Sequence, residues 1–162
     1  MGIRKDIAEK YGVEFKVPTP FSDRISIRQA LEGLAPATDD EICKEAYSSR
    51  YMSRNRKRAW DSVSFTIPAM AKQVPLWPGS PDMVKVGKDL WQFGEKGSTR
   101  RLSYKEAAAI QTFPKDMAFC GNLTSKYKQI GNAVPCELAR VVGTELYRIL
   151  SKIEEQESHC PA

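Results

Sequence analysis

Between Arg50 and Lys72 six basic residues, Arg50, Arg54, Arg56, Lys57, Arg58 and Lys72, are set against one acid, Asp61. That segment carries a charge of +5, equal to the net charge of all 162 residues, so the positive charge is concentrated where a polyanion would use it. Arg54 and Arg56 are the candidates for reading base edges, because a guanidinium can donate two parallel hydrogen bonds to guanine O6 and N7. Arg50, Lys57 and Arg58 are assigned to phosphates, which anchor a duplex without reading it. The plain alternative for Arg54 and Arg56 is a solvated basic loop that holds only phosphates, and for Arg50, Lys57 and Arg58 a plain surface role.

Nucleophilic and metal chemistry have less to draw on. Cys43, Cys120, Cys136 and Cys160 are widely spaced and form no Cys-x-x-Cys pair, so neither a zinc site nor a redox motif is indicated and reduced thiols are the default. The single histidine, His159, lies in the polar tail EEQESHCPA, which is expected to be disordered from 155 to 162. An internal histidine base is therefore set aside. No metal is expected.

The elements that must position these residues are short. Residues 1–12 read as a strand end followed by charged residues, and VPTPFSD breaks regular structure before ISIRQALEGL, a small helix. Thr38, Asp39 or Asp40 is placed to cap a helix over EICKEAY. From Ser53 to Gly97, β-branched and aromatic residues interrupted by Pro68, Pro75 and Pro78 suit short strands and loops. Trp60, Phe65, Trp77 and Trp91 in this stretch are read as core rather than as platforms for an extruded base.

Ser103 and Glu106 form a capping box ahead of a helix that Phe113-Pro114 should end. A last helix starts near Val134-Pro135, with an apolar stripe through Leu138, Val141, Val142, Leu146, Ile149, Leu150 and Ile153. No run approaches a membrane span, and the amino terminus lacks the apolar core of a signal peptide. A cytoplasmic protein is expected.

The segment QIGNAVP, 129–135, preceded by Lys126-Tyr127-Lys128 and followed by an amphipathic helix, resembles motif X of the DNA cytosine-5 methyltransferases. RRLSYKEAAAIQTFP, 100–114, resembles motif IX of the same enzymes, at a suitable spacing. YMSRNRKRAWDSVSFTIPAMAKQVPLWPGSP, 51–81, is similar to the target-recognition region of members that methylate GGCC-type sites. GIRKDIAEKYGVEFKVPTP looks like the segment that follows motif VIII. The resemblance thus covers residues 2 to about 150.

The resemblance implies an α+β chain. Residues 1–40 follow motif VIII and lead into a recognition domain of short strands and loops, 41–99. Residues 100–154 carry the motif IX and X helices that complete a partner's S-adenosylmethionine-binding α/β domain. It places Asn132, Ala133 and Val134 beside the methionine end of S-adenosylmethionine, although Asn132 also suits an N-cap. It makes Arg50, Arg54, Asn55, Arg56, Lys57, Arg58 and Lys72 the DNA-contacting set, and Arg100, Arg101 and Glu106 the structural residues of motif IX. Three departures are visible: Ala133 where many relatives carry Ser, Lys72 where they often carry Arg, and Pro68 where they often carry Gln.

Methyl transfer to cytosine C5 needs a thiolate to attack C6 and an acid at N3. In the family these come from a Pro-Cys-Gln loop and a Glu-Asn-Val strand, and neither tripeptide occurs here. Nor do the Phe-x-Gly-x-Gly cofactor loop or the Gln-x-Arg-x-Arg motif. Pro135-Cys136 is a different dipeptide: Glu137 follows it, and Cys136 opens a predicted amphipathic helix. The expectation is a non-catalytic, DNA-recognising small subunit that binds double-stranded DNA together with a larger catalytic subunit. A piece of a longer enzyme would read identically, and a DNA-binding or regulatory remnant is the rival.

Overall fold

A computed structural model describes residues 2–159. The chain divides into two compact units, one from its first 22 residues together with the part from Pro135 onward, the other spanning Asp23–Val134. Among the described residues no helix is long and apolar enough to cross a membrane.

Among its described residues the first unit holds two helices. Helix α1, Lys5–Tyr11, replaces the expected strand end. Its residues are helix formers with Asp6 in the first turn and Lys10 in the last, and Gly12 takes the left-handed conformation (φ 59°) that closes a helix C-terminus. The other helix, running from Cys136 to Ser158 and labelled α5 in chain order, begins where the proline signal put it, with Pro135 as N-cap. It continues through 155–158, which the sequence reading assigned to a disordered tail; residues 160–162 of that tail lie outside the described residues. The Tyr11 hydroxyl donates to the Glu157 carboxylate, and the Gln156 side chain donates to the Tyr11 carbonyl at 3.3 Å. Only Ile149 of the α5 stripe is buried; Val134, Leu138 and Leu150 are each more than half exposed.

The second unit is built around helices α2 (Ile27–Leu31), α3 (Tyr104–Ile110) and α4 (Leu123–Asn132) and one antiparallel hairpin, β1 (Met83–Gly87) with β2 (Leu90–Phe93). The α3 capping box forms as read: Ser103 Oγ accepts from the Glu106 N–H at 3.1 Å, and the Ser103 N–H donates to the Glu106 carboxylate at 2.7 Å. Helix α4 was not anticipated. Its signal was Asn122, whose side chain accepts from the Ser125 N–H at 2.9 Å. As a result Asn132 is the last residue of α4, and the residue preceding α5 is Pro135.

EICKEAY does not form a helix. A 3₁₀ turn covers Asp39–Glu41, and residues 42–48 have no regular structure. The reason is distant in sequence: Arg101, only 1% exposed, donates to the carbonyls of Cys43 (2.9 Å) and Glu45 (2.8 Å), which a helix would have used internally.

The core of this unit joins Cys43, Ile67, Val74, Leu102, Ala107, Tyr127 and Ile130, and a second cluster gathers Tyr51, Leu76 and Met83 with Trp91 and Phe93. Tyr127 is fully buried, its hydroxyl 2.7 Å from the Leu102 carbonyl and 3.1 Å from that of Glu41. Tyr51, also fully buried, donates to the Val74 carbonyl at 3.0 Å. Burial pushes both phenols above their ordinary range. The unfolded chain therefore loses these protons first, and stability should fall as pH rises above roughly 10. Tyr127→Phe is expected to cost about 1–2 kcal/mol in urea unfolding at neutral pH and to flatten that alkaline decline. An unchanged alkaline limb in the variant would assign the decline to other groups.

Candidate nucleic-acid interface

The basic segment folds into a cleft of about 450 Å³ whose wall includes Arg50, Arg54, Arg56, Phe65, Pro68 and Gln73 and no carboxylate. Three guanidiniums without an acid lining are an uncompensated positive site. Their mutual repulsion is visible at Arg56, whose pKa is pulled below its usual value chiefly by burial and further by Arg54 and Arg50.

The three arginines are not equivalent. Arg54 is exposed, and its side chain makes no hydrogen bond or ion pair among the described residues; the same holds for Arg50. Arg56 is held from within. Its Nε donates to the Tyr51 carbonyl (3.0 Å), and Nη2 donates to the Arg50 carbonyl (3.1 Å) and Gln73 Oε1 (2.9 Å), with the guanidinium 4.9 Å from the centre of the Tyr51 ring. Both N–H groups of Nη2 and that of Nε are committed, so Arg56 can offer a base a bidentate fork only by breaking these bonds.

Lys57 pairs with Asp82 at 2.6 Å and its side chain is 15% exposed, so a phosphate would have to displace that carboxylate. Asn55 turns its carbonyl oxygen back to the Lys57 N–H at 2.8 Å, fixing the loop. Arg58 lies 4.2 Å from the centre of the Phe65 ring. Lys72 is exposed, and its side chain makes no ion pair among the described residues. Trp60 meets Trp77 edge-on at 5.6 Å, and both rings are half-buried, as are Phe65 and Trp91. Nothing in the run AKQV marks Gln73 as the partner of Arg56.

Two arginines outside the cleft lining supply the frame of this unit. Arg100 makes two 2.8 Å bonds to the Glu106 carboxylate and stacks 4.4 Å from the centre of a Trp77 ring. Arg101 reaches the other way, into the carbonyls of residues 43 and 45 and that of Lys72 (3.2 Å), with Tyr47 and Tyr51 on its faces. Lys72 is thus positioned through its backbone by a buried arginine.

The model of the C-5 cytosine-specific DNA methylases matches residues 6–148 of this chain. The chain belongs to that family. Among its relatives, the Type II methyltransferase M.BsuRI of Bacillus subtilis is 41% identical over 90% of this chain and 36% of its own length. M.MthTI of Methanothermobacter thermautotrophicus is 35% identical over 94% of this chain and 51% of its own. M.BspRI of Lysinibacillus sphaericus is 48% identical over 62% and 26%. The chain therefore spans between about a quarter and a half of the length of these relatives.

Members of the family use S-adenosylmethionine, so the edge at 132–134 can be tested for fit. Asn132 is exposed at the end of α4, and its side-chain amide has no partner among the described residues. Ala133 already spends its N–H on the Ile130 carbonyl at 3.3 Å, and Val134 is 59% exposed. One free amide beside an apolar side chain fits one edge of a cofactor that carries both polar and apolar parts. It does not by itself enclose a ligand.

Proposed function

We propose that this chain is the DNA-recognising, non-catalytic part of a cytosine-5 methyltransferase, and that a catalytic partner supplies the nucleophile and most of the cofactor pocket. The observation that carries this reading is the acid-free arginine cleft, seated on a motif IX frame in a chain of this family. The bound cofactor supplies the methyl group. On this chain the Asn132 amide orients it and Val134 screens it from water. The exposed α5 residues Leu138, Leu146 and Leu150 are covered by the partner, since water is a poor solvent for so continuous an apolar stripe.

Within the cleft, Arg54 reads a guanine edge, Arg50 and Lys72 hold phosphates, and Arg56 shapes the loop that presents Arg54. The target is a GGCC-containing duplex site, on the likeness of 51–81 to that branch. Co-expression with a larger family member that carries the Pro-Cys-Gln loop, followed by bisulfite sequencing of host DNA, tests activity and target together. Methylation at GGCC sites that depends on this chain is expected. DNA binding by the chain with no methylation in any such pairing would favour a regulatory DNA-binding protein instead.

In the assembled enzyme Arg54→Ala should cost on the order of 1–3 kcal/mol at the cognate site and narrow its advantage over single-base variants. Lys72→Ala should slow all duplexes alike and make the salt slope shallower by roughly one. A uniform loss across the duplex panel for Arg54→Ala would demote that residue to an anchor.

A further inference from the structure

Gly131 lies in the last turn of α4, with backbone torsions open to any residue. Glycine in a helix costs roughly 0.5–1 kcal/mol relative to alanine, so its presence here calls for a reason other than torsion. Packing supplies one. A methyl group at this position would come within 2.5 Å of Ala69 Cα and still closer to the Pro68 carbonyl carbon and the Ala69 nitrogen, all of them backbone atoms that cannot rotate aside. Pro68, Ala69 and Met70 are a wall of the arginine cleft.

Helix α4 cannot yield either. Ile130 and Tyr127 are fully buried, the Tyr127 hydroxyl donates to the Leu102 carbonyl at 2.7 Å with that of Glu41 at 3.1 Å, and the Gln111 side chain donates to the Ile130 carbonyl at 3.2 Å. The turn beyond the wall is anchored to the same frame through Ala71 and Val74, which share a core cluster with Tyr127 and Ile130, while its Gln73 Oε1 accepts from Arg56 at 2.9 Å.

We infer that Gly131 is a positioning residue for target discrimination: its missing side chain lets the Pro68–Met70 wall of the DNA cleft lie directly on the rigid end of α4. The exposed neighbour, Asn132, is the residue given above to the cofactor, so on that proposal adjacent residues of one helix end serve different ligands. This rests on the reading of the cleft as the DNA site.

The test is Gly131→Ala in the full chain, with three readouts. Amides of residues 66–73 should exchange with deuterated solvent about tenfold faster, while those of α3 keep their protection. In the enzyme assembled with a catalytic partner, the rate ratio between the cognate duplex and its single-base variants should shrink about tenfold, with the KM for S-adenosylmethionine unchanged. A raised cofactor KM with discrimination intact, or faster exchange confined to 129–134, overturns the assignment. Should Gly131→Ala fail to fold, Ala69→Gly with Gly131 kept loosens the wall from its own side; a shrunken rate ratio with the cofactor KM unchanged supports the assignment, and intact discrimination overturns it. If the unsubstituted enzyme shows no sequence preference, the reading of the cleft fails, whereas the exchange result still decides whether Gly131 sets the wall.

Discussion

Mixed with S-adenosylmethionine and a GGCC duplex, the isolated chain is expected to transfer no methyl group at any concentration, and addition of the catalytic partner should switch transfer on. The chemistry demands a thiolate on one face of the cytosine ring and an acid at N3. Of the described thiols, Cys43 is buried in the core, where Arg101 occupies its carbonyl, and Cys120 is exposed in a loop. Cys136 is the one that invites suspicion, half-buried in the first turn of α5 after a proline. Its nearest acid in sequence, Glu137, is engaged with Arg140 at 2.8 Å, outward along the helix. Cys136→Ser should therefore leave the assembled enzyme's rate within about twofold, where loss of a true nucleophile costs many orders of magnitude. Turnover by the chain alone, abolished by Cys136→Ser, would sink the division of labour proposed here.

The second large effect is on stability. Arg101→Ala is expected to destabilise the 23–134 unit by about 3–5 kcal/mol, the range for removing one member of a buried polar network. The side chain is 1% exposed, and its loss strands the carbonyls of Cys43, Glu45 and Lys72 while opening a gap between Tyr47 and Tyr51. Lysine should recover little, because an ammonium cannot reach three carbonyls in one plane. Arg100→Ala should cost less, since the Glu106 carboxylate it releases keeps its bond from the Ser103 N–H. Urea midpoints measure all three. A loss under 1 kcal/mol for Arg101→Ala would mean that water replaces the guanidinium and that the frame is looser than drawn.

What could be read from the sequence was local or periodic. The Ser103–Glu106 box acts across three residues and the α5 stripe repeats every three or four, so both were visible, as was the density of arginine around Arg54. Helix α1 was missed because seven residues with no buried side chain leave no apolar period to find. The irregular course of 42–48 follows from Arg101, and the engagement of Arg56 and Lys57 from Gln73 and Asp82, pairings that no local pattern announces. The basic cluster thus looked like a set of interchangeable cations. Folding sorts it into residues that face the cleft and residues that build it.

The reach of Arg101 also bears on how the protein is made. A ribosome emits residues 43–46 and 72 well before it emits residue 101 and the α3 cap that follows. Until then the peptide groups destined for that guanidinium can only be hydrated, and the segment from 43 to 72 lacks its central tie. Its folding during translation is therefore gated by a residue downstream of the hairpin. Fragments that stop just short of Arg101 should emerge as protease-sensitive chains, however complete their set of cleft arginines.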